Sequence, residues 1–297
     1  MSERAVVLID GERRAPERAV VSVFDRGFLY GDSVFEVIRT YGGKPFGLQE
    51  HVARLHASAE KLAFTPSWSE EALVDEITRA VNDAGFLESY VRIVVTRGAG
   101  KLGLDPDLST TPMRVVILQP LELPNASVYR EGVAVLIVDA PRATDGTAAQ
   151  GAKASNYLAN LLALKDAKAR GAYEPLFVHG DEVLEGGTSN VFVVEGERLL
   201  TPPLGRILGG ITRKYVLEVA RSVGLVPSVE PITRAALLAA DEVFITSTVR
   251  EIVPVVRVLD ADGPHLVAAG GVGPRVRELH RAFRRHVGAA GTPMPWE

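Results

Sequence analysis

Short runs rich in β-branched and aromatic residues, each closed by a turn, fill the first third of the chain: residues 5–10 (AVVLID), 34–41 (VFEVIRTY), 90–96 (YVRIVVT) and 113–118 (MRVVIL). Such runs predict strands. Between the second and third, Leu48, Val52, Leu55, Ala59 and Leu62 recur at steps of four and three. That spacing predicts an amphipathic helix whose polar, solvent-facing side carries His51, Arg54 and Ser58. Residues 69–85 (SEEALVDEITRAVNDAG) predict a second helix ending on Gly85. These elements describe an antiparallel α+β unit. Residues 119–132 (QPLELPNASVYREG) then carry two prolines and no periodicity. The expected division is a small domain over 1–118, a linker over 119–131 and a larger domain over 132–297.

In the larger domain, residues 133–140 (VAVLIVDA) predict a strand, and a small-residue loop leads past Lys153 into a helix whose buried face is marked by Leu158, Leu161 and Leu162. Strands over 174–180 and 191–201 flank the segment DEVLEGGTSN, and Pro202 and Pro203 stop the second. Residues 208–224 (LGGITRKYVLEVARSVG) read as a glycine-rich approach to a helix, and residues 242–263 as strands closed by a turn. The basic helix over 275–287 is expected to be a solvated face.

With 297 residues, 46% hydrophobic and 24% charged, the chain is long enough for two real cores, so a soluble globular protein is expected. A net charge of -4 advertises neither nucleic acid nor an anionic membrane, which leaves small solutes as partners. The absence of cysteine removes disulfides, thiolate metal sites and a thiol nucleophile, and fits the cytoplasm. Asp10 and Glu12 interrupt the first apolar run, so no signal peptide is expected there, and no run reaches transmembrane length.

Several standard chemistries find no motif. Residues 98–103 (GAGKLG) match G-x-G-x-x-G, but Pro106 and Pro112 follow where a dinucleotide site needs a helix, and Leu102 stands where a Walker loop needs Ser or Thr. The histidines show no metal-protease spacing and no nucleophile elbow occurs, so no metal is expected. Residues 209–213 (GGITR) hold bare amides at a helix start, where Gly209, Gly210, Ile211 and Thr212 suit a phosphate; Thr212 equally suits a helix cap. Lys153 differs from Lys165 and Lys168 in its uncharged neighbourhood, with no acidic residue between Asp145 and Asp166. It reads as an exposed loop lysine or as an amine available for attack on an aldehyde. A lysine, the isolated carboxylate of LEGGTSN and a phosphate-ready helix start are the three things pyridoxal phosphate requires.

In that combination the sequence resembles the class IV, fold-type IV pyridoxal-phosphate aminotransferases, in seven ordered blocks: FDRGFLYGDSVFEVIRTY, LQEHVARLHASAEKL, YVRIVVTRGAGKLGLDP, KASNYLANLLALKDA, EGGTSNVF, LGGITR and EVFITSTVREIVPV. The resemblance implies a two-domain α+β and α/β fold, like that of D-amino-acid aminotransferase, with the cofactor at the domain interface. It makes Lys153 the residue that bonds the cofactor aldehyde and moves the substrate proton. Glu185 would pair with the pyridine nitrogen, Tyr157 with the phenolic oxygen, and Asn190 would lie nearby. Arg54 would bind the phosphate with Ile211, Thr212 and Thr248, and Gly210 and Ser247 would also contact the cofactor.

The branched-chain enzymes of this family are the nearest in YVR and GKLGLDP, which implies a ping-pong exchange between leucine, isoleucine or valine and 2-oxoglutarate in a homodimer or dimer-based oligomer. Tyr30, Phe35, Val37, Arg39, Tyr90, Arg92, Val249 and Arg250 would contact substrate. Two positions depart from the pattern: Val37 stands where branched-chain enzymes carry glycine, and Arg250 where small residues are usual. Val37 is shared with D-amino-acid and (R)-amine transaminases, and a guanidinium at Arg250 would admit a dicarboxylate or alter the chirality preference. Aminodeoxychorismate lyase and a non-catalytic cofactor-binding protein are the other readings.

Overall fold

The computed structural model describes residues 5–109, 111–140, 146–289 and 291–297. The chain divides into two compact units: residues 1–122 with Gly146–Tyr157, and Leu123–Asp145 with Leu158–Glu297. The crossing at Glu122–Leu123 falls within the segment expected to join two domains, but that segment is not an open linker. Its residues finish one strand and form a short helix, Ala126–Arg130. The larger difference is that the Lys153 segment belongs to the first unit, although it follows the first strand of the second. The start of the loop leading to it, at Asp145, lies outside the described residues.

The first unit is a six-stranded antiparallel sheet. Its strands are β1 (Val6–Ile9), β2 (Glu12–Arg14), β3 (Ser33–Tyr41), β4 (Lys44–Pro45), β5 (Ser89–Thr96) and β6 (Met113–Pro120), in the order β2-β1-β6-β5-β3-β4. Helix α1 (Arg26–Tyr30) precedes β3, and α2 (Leu48–Lys61) and α3 (Glu70–Ala84) complete the unit. The apolar stripe Leu48, Val52, Leu55 and Ala59 packs with Val34, Ile38, Val91 and Ile93 of the sheet, as the helical period expects. Ser69 caps α3 by accepting from the Ala72 amide at 3.2 Å, and Gly85, with φ of 64°, ends it. The polar side of α2 departs from expectation: His51 and Ser58 are buried and Arg54 is nearly so.

The second unit adds α4 (Ala126–Arg130), β7 (Val133–Asp139), α5 (Leu158–Ala169), β8 (Glu174–His179), β9 (Glu182–Gly186), β10 (Asn190–Glu195) and β11 (Arg198–Thr201). It continues with α6 (Ile211–Val219), β12 (Val226–Val229), β13 (Ile232–Thr233), α7 (Arg234–Ala239), β14 (Glu242–Ser247), β15 (Glu251–Asp260), β16 (Gly263–Leu266) and α8 (Pro274–His286). Strands β10-β14-β15-β7-β8-β9 are neighbours in that order, and the pairing of Asn190 with Glu185 joins β9 back to β10, closing a ring. Inward residues such as Val135, Leu176, Val183, Val193, Ile245 and Val255 fill it.

Two helices face differently from expectation. In α5 the buried residue is Ala167, which packs with Ala172, Ala134 and Leu136, while Leu158, Leu161 and Leu162 are 59–63% exposed. The helix carries two apolar stripes, and the small residues allow the closer approach to the sheet. Basic α8 is not a solvated face, since it buries Val276, Leu279, Ala282 and Phe283. Residues 98–103 lead to a short 3-10 turn at Pro106–Leu108, so no helix start follows them. No helix among the described residues is long and apolar enough to cross a membrane.

Candidate active site

In the first unit the Lys153 segment runs along the open edge of β3. Phe35 N–H donates to the Lys153 carbonyl at 2.9 Å, Ser155 N–H donates to the Ser33 carbonyl at 2.9 Å, and Val34 bridges Ala154. From the helix side, the Lys153 N–H donates to Ser58 Oγ at 3.1 Å. The backbone of the lysine is therefore anchored on two elements. Its Nζ lies 4.5 Å from the Phe35 ring centroid, and among the described residues no carboxylate pairs with it. The Arg92 guanidinium stands 4.2 Å from the same ring, and Tyr157 meets it edge-on at 5.2 Å. Four residues singled out in the sequence thus come together, three of them converging on the aromatic side chain of the fourth.

Strand geometry extends this cluster. Phe35, Val37 and Arg39 share a face of β3 by their spacing of two, and the register sets Arg92 opposite Val37 and Tyr90 opposite Arg39. Five of the expected substrate contacts line one surface, apolar at Phe35 and Val37 and cationic at Arg39 and Arg92. Tyr30 lies on α1, where its hydroxyl accepts from the Gly103 N–H at 3.1 Å.

The opposite face of β3 holds a group that the sequence reading missed. Glu36, 0% exposed, accepts from Arg54 Nε at 2.6 Å and Nη2 at 2.7 Å, and its Oε2 lies 2.7 Å from His51 Nδ1. Burial alone would raise the Glu36 pKa, but the charges and hydrogen bonds of Arg54 and His51 outweigh it and hold the carboxyl far below the usual range. Burial also lowers the His51 pKa, as do Arg54 and Lys153, against the opposing Glu36 charge. Glu36 can only accept, so Nδ1–H donates to it, and Nε2 is buried without a hydrogen-bond partner among the described residues. A carboxylate between apolar strand residues, with two helical residues spaced by three across from it, was the available signal.

In the second unit Glu185 and Asn190 sit where the ring closes. Glu185 Oε2 accepts from the Leu208 N–H at 2.8 Å and from Asn190 Nδ2 at 3.3 Å, and Asn190 Nδ2 also donates to the Leu208 carbonyl at 2.9 Å. This ties the carboxylate to the approach to α6. Gly210 is at the cap position of α6 and offers no side-chain cap; a Cβ there would collide with Asn190 Oδ1. Thr212 does not cap the helix. It is 2% exposed, and its Oγ1 has no hydrogen-bond partner among the described residues. The start of α6 therefore presents bare amides of Ile211 and Thr212 and an orphan hydroxyl. Arg213 turns away, donating to Thr201 Oγ1 at 3.1 Å and the Pro202 carbonyl at 2.9 Å.

Thr248, Val249 and Arg250 form the hairpin turn between β14, which ends on Ser247, and β15. Arg250 does not present an unengaged guanidinium: Nη1 donates to Glu174 Oε2 at 2.6 Å, Nη2 to Thr188 Oγ1 at 2.8 Å and Nε to Ser247 Oγ at 2.9 Å. Burial opposes its charge, yet Glu174 and Tyr173 raise its pKa above the ordinary value. Among the described residues no group of three or more His, Cys, Asp or Glu side chains is arranged to hold a metal ion.

The amino-transferase class IV family profile matches residues 33–258. The chain is 36% identical over 281 residues to a putative branched-chain-amino-acid aminotransferase of Methanocaldococcus jannaschii, covering 94% of this chain and 95% of that one. It is 32% identical over 282 residues to a D-alanine aminotransferase of Bacillus licheniformis, covering 95% and 96%. Among solved structures, the T.th. branched-chain amino acid aminotransferase complexed with N-(5′-phosphopyridoxyl)-L-glutamate superposes with a TM-score of 0.87 at 29% identity, over 98% of this chain and 96% of that one.

Proposed function

The chain belongs to the class IV aminotransferase family, and from that premise we propose that it exchanges the amino group of a branched-chain L-amino acid with 2-oxoglutarate by a ping-pong route. The family's cofactor is pyridoxal phosphate, which supplies an aldehyde to receive the amino group and a ring that accepts electrons from the substrate Cα. The residues fit it. The buried, unpartnered Thr212 hydroxyl beside the bare amides of α6 is the chemistry that receives a phosphate, with Gly210 leaving the backbone open to it. Ser247, Thr248 and Arg54 are proposed to complete that set. Glu185, held by Leu208 and Asn190, provides a fixed carboxylate for a pyridinium N–H, and Tyr157 a hydroxyl for the phenolic oxygen.

Lys153 would provide the amine that bonds the cofactor's aldehyde carbon and, once freed by the substrate amine, the base that takes the Cα proton and delivers it to the cofactor carbon that receives the amino group. Phe35 and Val37 offer an apolar wall to a branched side chain, while Arg39, Tyr90 and Arg92 offer donors to a carboxylate. The observation that carries the reading is the convergence of Lys153, Arg92 and Tyr157 on the Phe35 ring. The exposed face of Leu158, Leu161 and Leu162 supports a homodimer, and a cysteine-free chain suits the cytoplasm. Val37 and the D-alanine aminotransferase relative favour a second reading, transamination of D-amino acids.

Half-reactions decide between them. The protein with bound cofactor is expected to absorb visible light, and Lys153→Ala to lose that band together with activity. L-Leucine is expected to bleach the wild-type band and D-alanine and (R)-1-phenylethylamine to leave it. Bleaching by D-alanine alone would replace the first reading with the second, and a protein that stays colourless with added cofactor would remove both.

A further inference from the structure

Arg250 and Glu174 form a connection whose place in the fold goes beyond the residues expected to touch cofactor or substrate. Glu174 is buried on β8, and each of its oxygens faces a different segment. Oε1 accepts from the Thr188 N–H at 2.7 Å and from Ser189 Oγ at 2.8 Å, gathering the loop between β9 and β10. Oε2 accepts from Arg250 Nη1 at 2.6 Å, gathering the turn between β14 and β15. The guanidinium repeats the link independently, since Nη2 reaches Thr188 Oγ1 and Nε reaches Ser247 Oγ. The loop admits no bulk at this point, because a Cβ on Gly186 would meet Glu174 Oε1 at 2.5 Å and collide with Ser189 Oγ.

The turn is fixed at its far end as well. Glu251 occupies a left-handed conformation, φ 58°, that non-glycine residues rarely adopt. Its buried carboxylate lies 2.6 Å from His280 Nε2 of α8. A three-residue turn held at Arg250 and at its flanking strand residues Ser247 and Glu251 has little freedom left, and Thr248 sits inside it.

We infer that Arg250 is a positioning residue, whose three-way fork onto Glu174, Thr188 and Ser247 sets the Thr248 turn against the loop that follows Glu185 for recognition of the cofactor phosphate, and that it is not a receptor for a second substrate carboxylate. The inference rests on the cofactor reading proposed above. Planar guanidinium geometry is what this task needs: five N–H donors in a fixed fork reach three acceptors on three segments, whereas an ammonium is a point charge. A dicarboxylate receptor in the same place would have to surrender a buried ion pair to act.

The test compares two ligands that differ only in the phosphate. Full-length protein freed of cofactor is titrated with pyridoxal phosphate and with pyridoxal, following the visible band, for wild type, Arg250→Ala and Arg250→Lys. The lysine variant keeps a cation beside Glu174, so it serves if the alanine variant fails to fold. Expected is a loss of roughly tenfold in pyridoxal phosphate affinity, as outer partners of a binding site show, with pyridoxal affinity changed by less than about twofold. The ratio of KM for 2-oxoglutarate to KM for 4-methyl-2-oxopentanoate is expected to hold in both variants. Unchanged affinity for both ligands, or an equal loss for both, would overturn the inference, as would a selective rise in KM for 2-oxoglutarate. If the wild type binds neither ligand, the cofactor reading itself fails and this inference with it.

Discussion

Replacing Glu36 by Gln removes a charge while keeping the volume of a side chain that is 0% exposed, and the structure allows its cost to be worked out. The carboxylate holds Arg54 through two bonds of 2.6 and 2.7 Å and His51 through one of 2.7 Å. Removing one partner of a buried pair costs about 3–5 kcal/mol, because the other charge is left without compensation. The Arg54 side chain keeps 15% exposure, so water recovers part of the loss and the lower end, about 3 kcal/mol, is expected. For a unit of this size that corresponds to a fall of roughly 6–12 °C in Tm. Urea unfolding at pH 7.5, followed by fluorescence, measures it as a lower midpoint at an unchanged m-value. The pH dependence has a definite sign. Glu36 has a lowered folded pKa, so its contribution is fully present above the unfolded value near pH 4.3 and is lost as pH falls toward the folded one. His51, also lowered, loses in the variant the one charge that raised it, so the gap between variant and wild type widens below about pH 6.5 before it closes below about pH 4.3. A loss under about 1 kcal/mol at pH 7.5, or a gap that stays constant down to pH 3, would refute the account of α2 as held to β3 by this pair.

Two further outcomes test other parts of the site. Thr212→Val removes a buried hydroxyl that has no partner, so the cofactor-free protein is expected to keep its stability or gain up to about 1 kcal/mol, while pyridoxal phosphate affinity falls; unaltered affinity in a direct titration would take Thr212 out of the phosphate site. Leu161→Asp puts a charge in the centre of the exposed leucine face and is expected to turn a dimer into a monomer by light scattering; a variant that remains dimeric would assign the interface elsewhere.

What the sequence conveyed and what it withheld divide along physical lines. Period and capping carried the strands and the two helices of the first unit, because Leu48, Val52, Leu55 and Ala59 had one possible inward face and Ser69 and Gly85 marked clear ends. In α5 two apolar stripes competed, and the choice went to the one containing Ala167, a matter of how closely small residues let a helix lie on a sheet. Helical periodicity put His51 and Arg54 outside because it counts them as polar; what brought them in was Glu36, a single residue on another element. Thr212 was ambiguous between cap and ligand until Gly210 was found in the cap position. The ion pair of Arg250 was not legible, since its partner, Glu174, lies 76 residues earlier and no local pattern joins them. Lys153 stood out by its uncharged neighbours, but its two backbone anchors at Ser33–Phe35 and Ser58 are contacts across about a hundred residues, which spacing does not encode.

Those anchors set an order of events during synthesis. Residues 1–122 can collapse as they leave the ribosome, yet the edge of β3 at Ser33–Phe35 stays unpaired until Gly146–Tyr157 arrives, about 2–7 s later at ordinary elongation rates. In that interval the nascent chain displays an open strand edge of the kind that pairs with other chains. The segment that closes it is the one that delivers Lys153, so this edge is covered at the same moment that the unit acquires the lysine proposed to hold the cofactor.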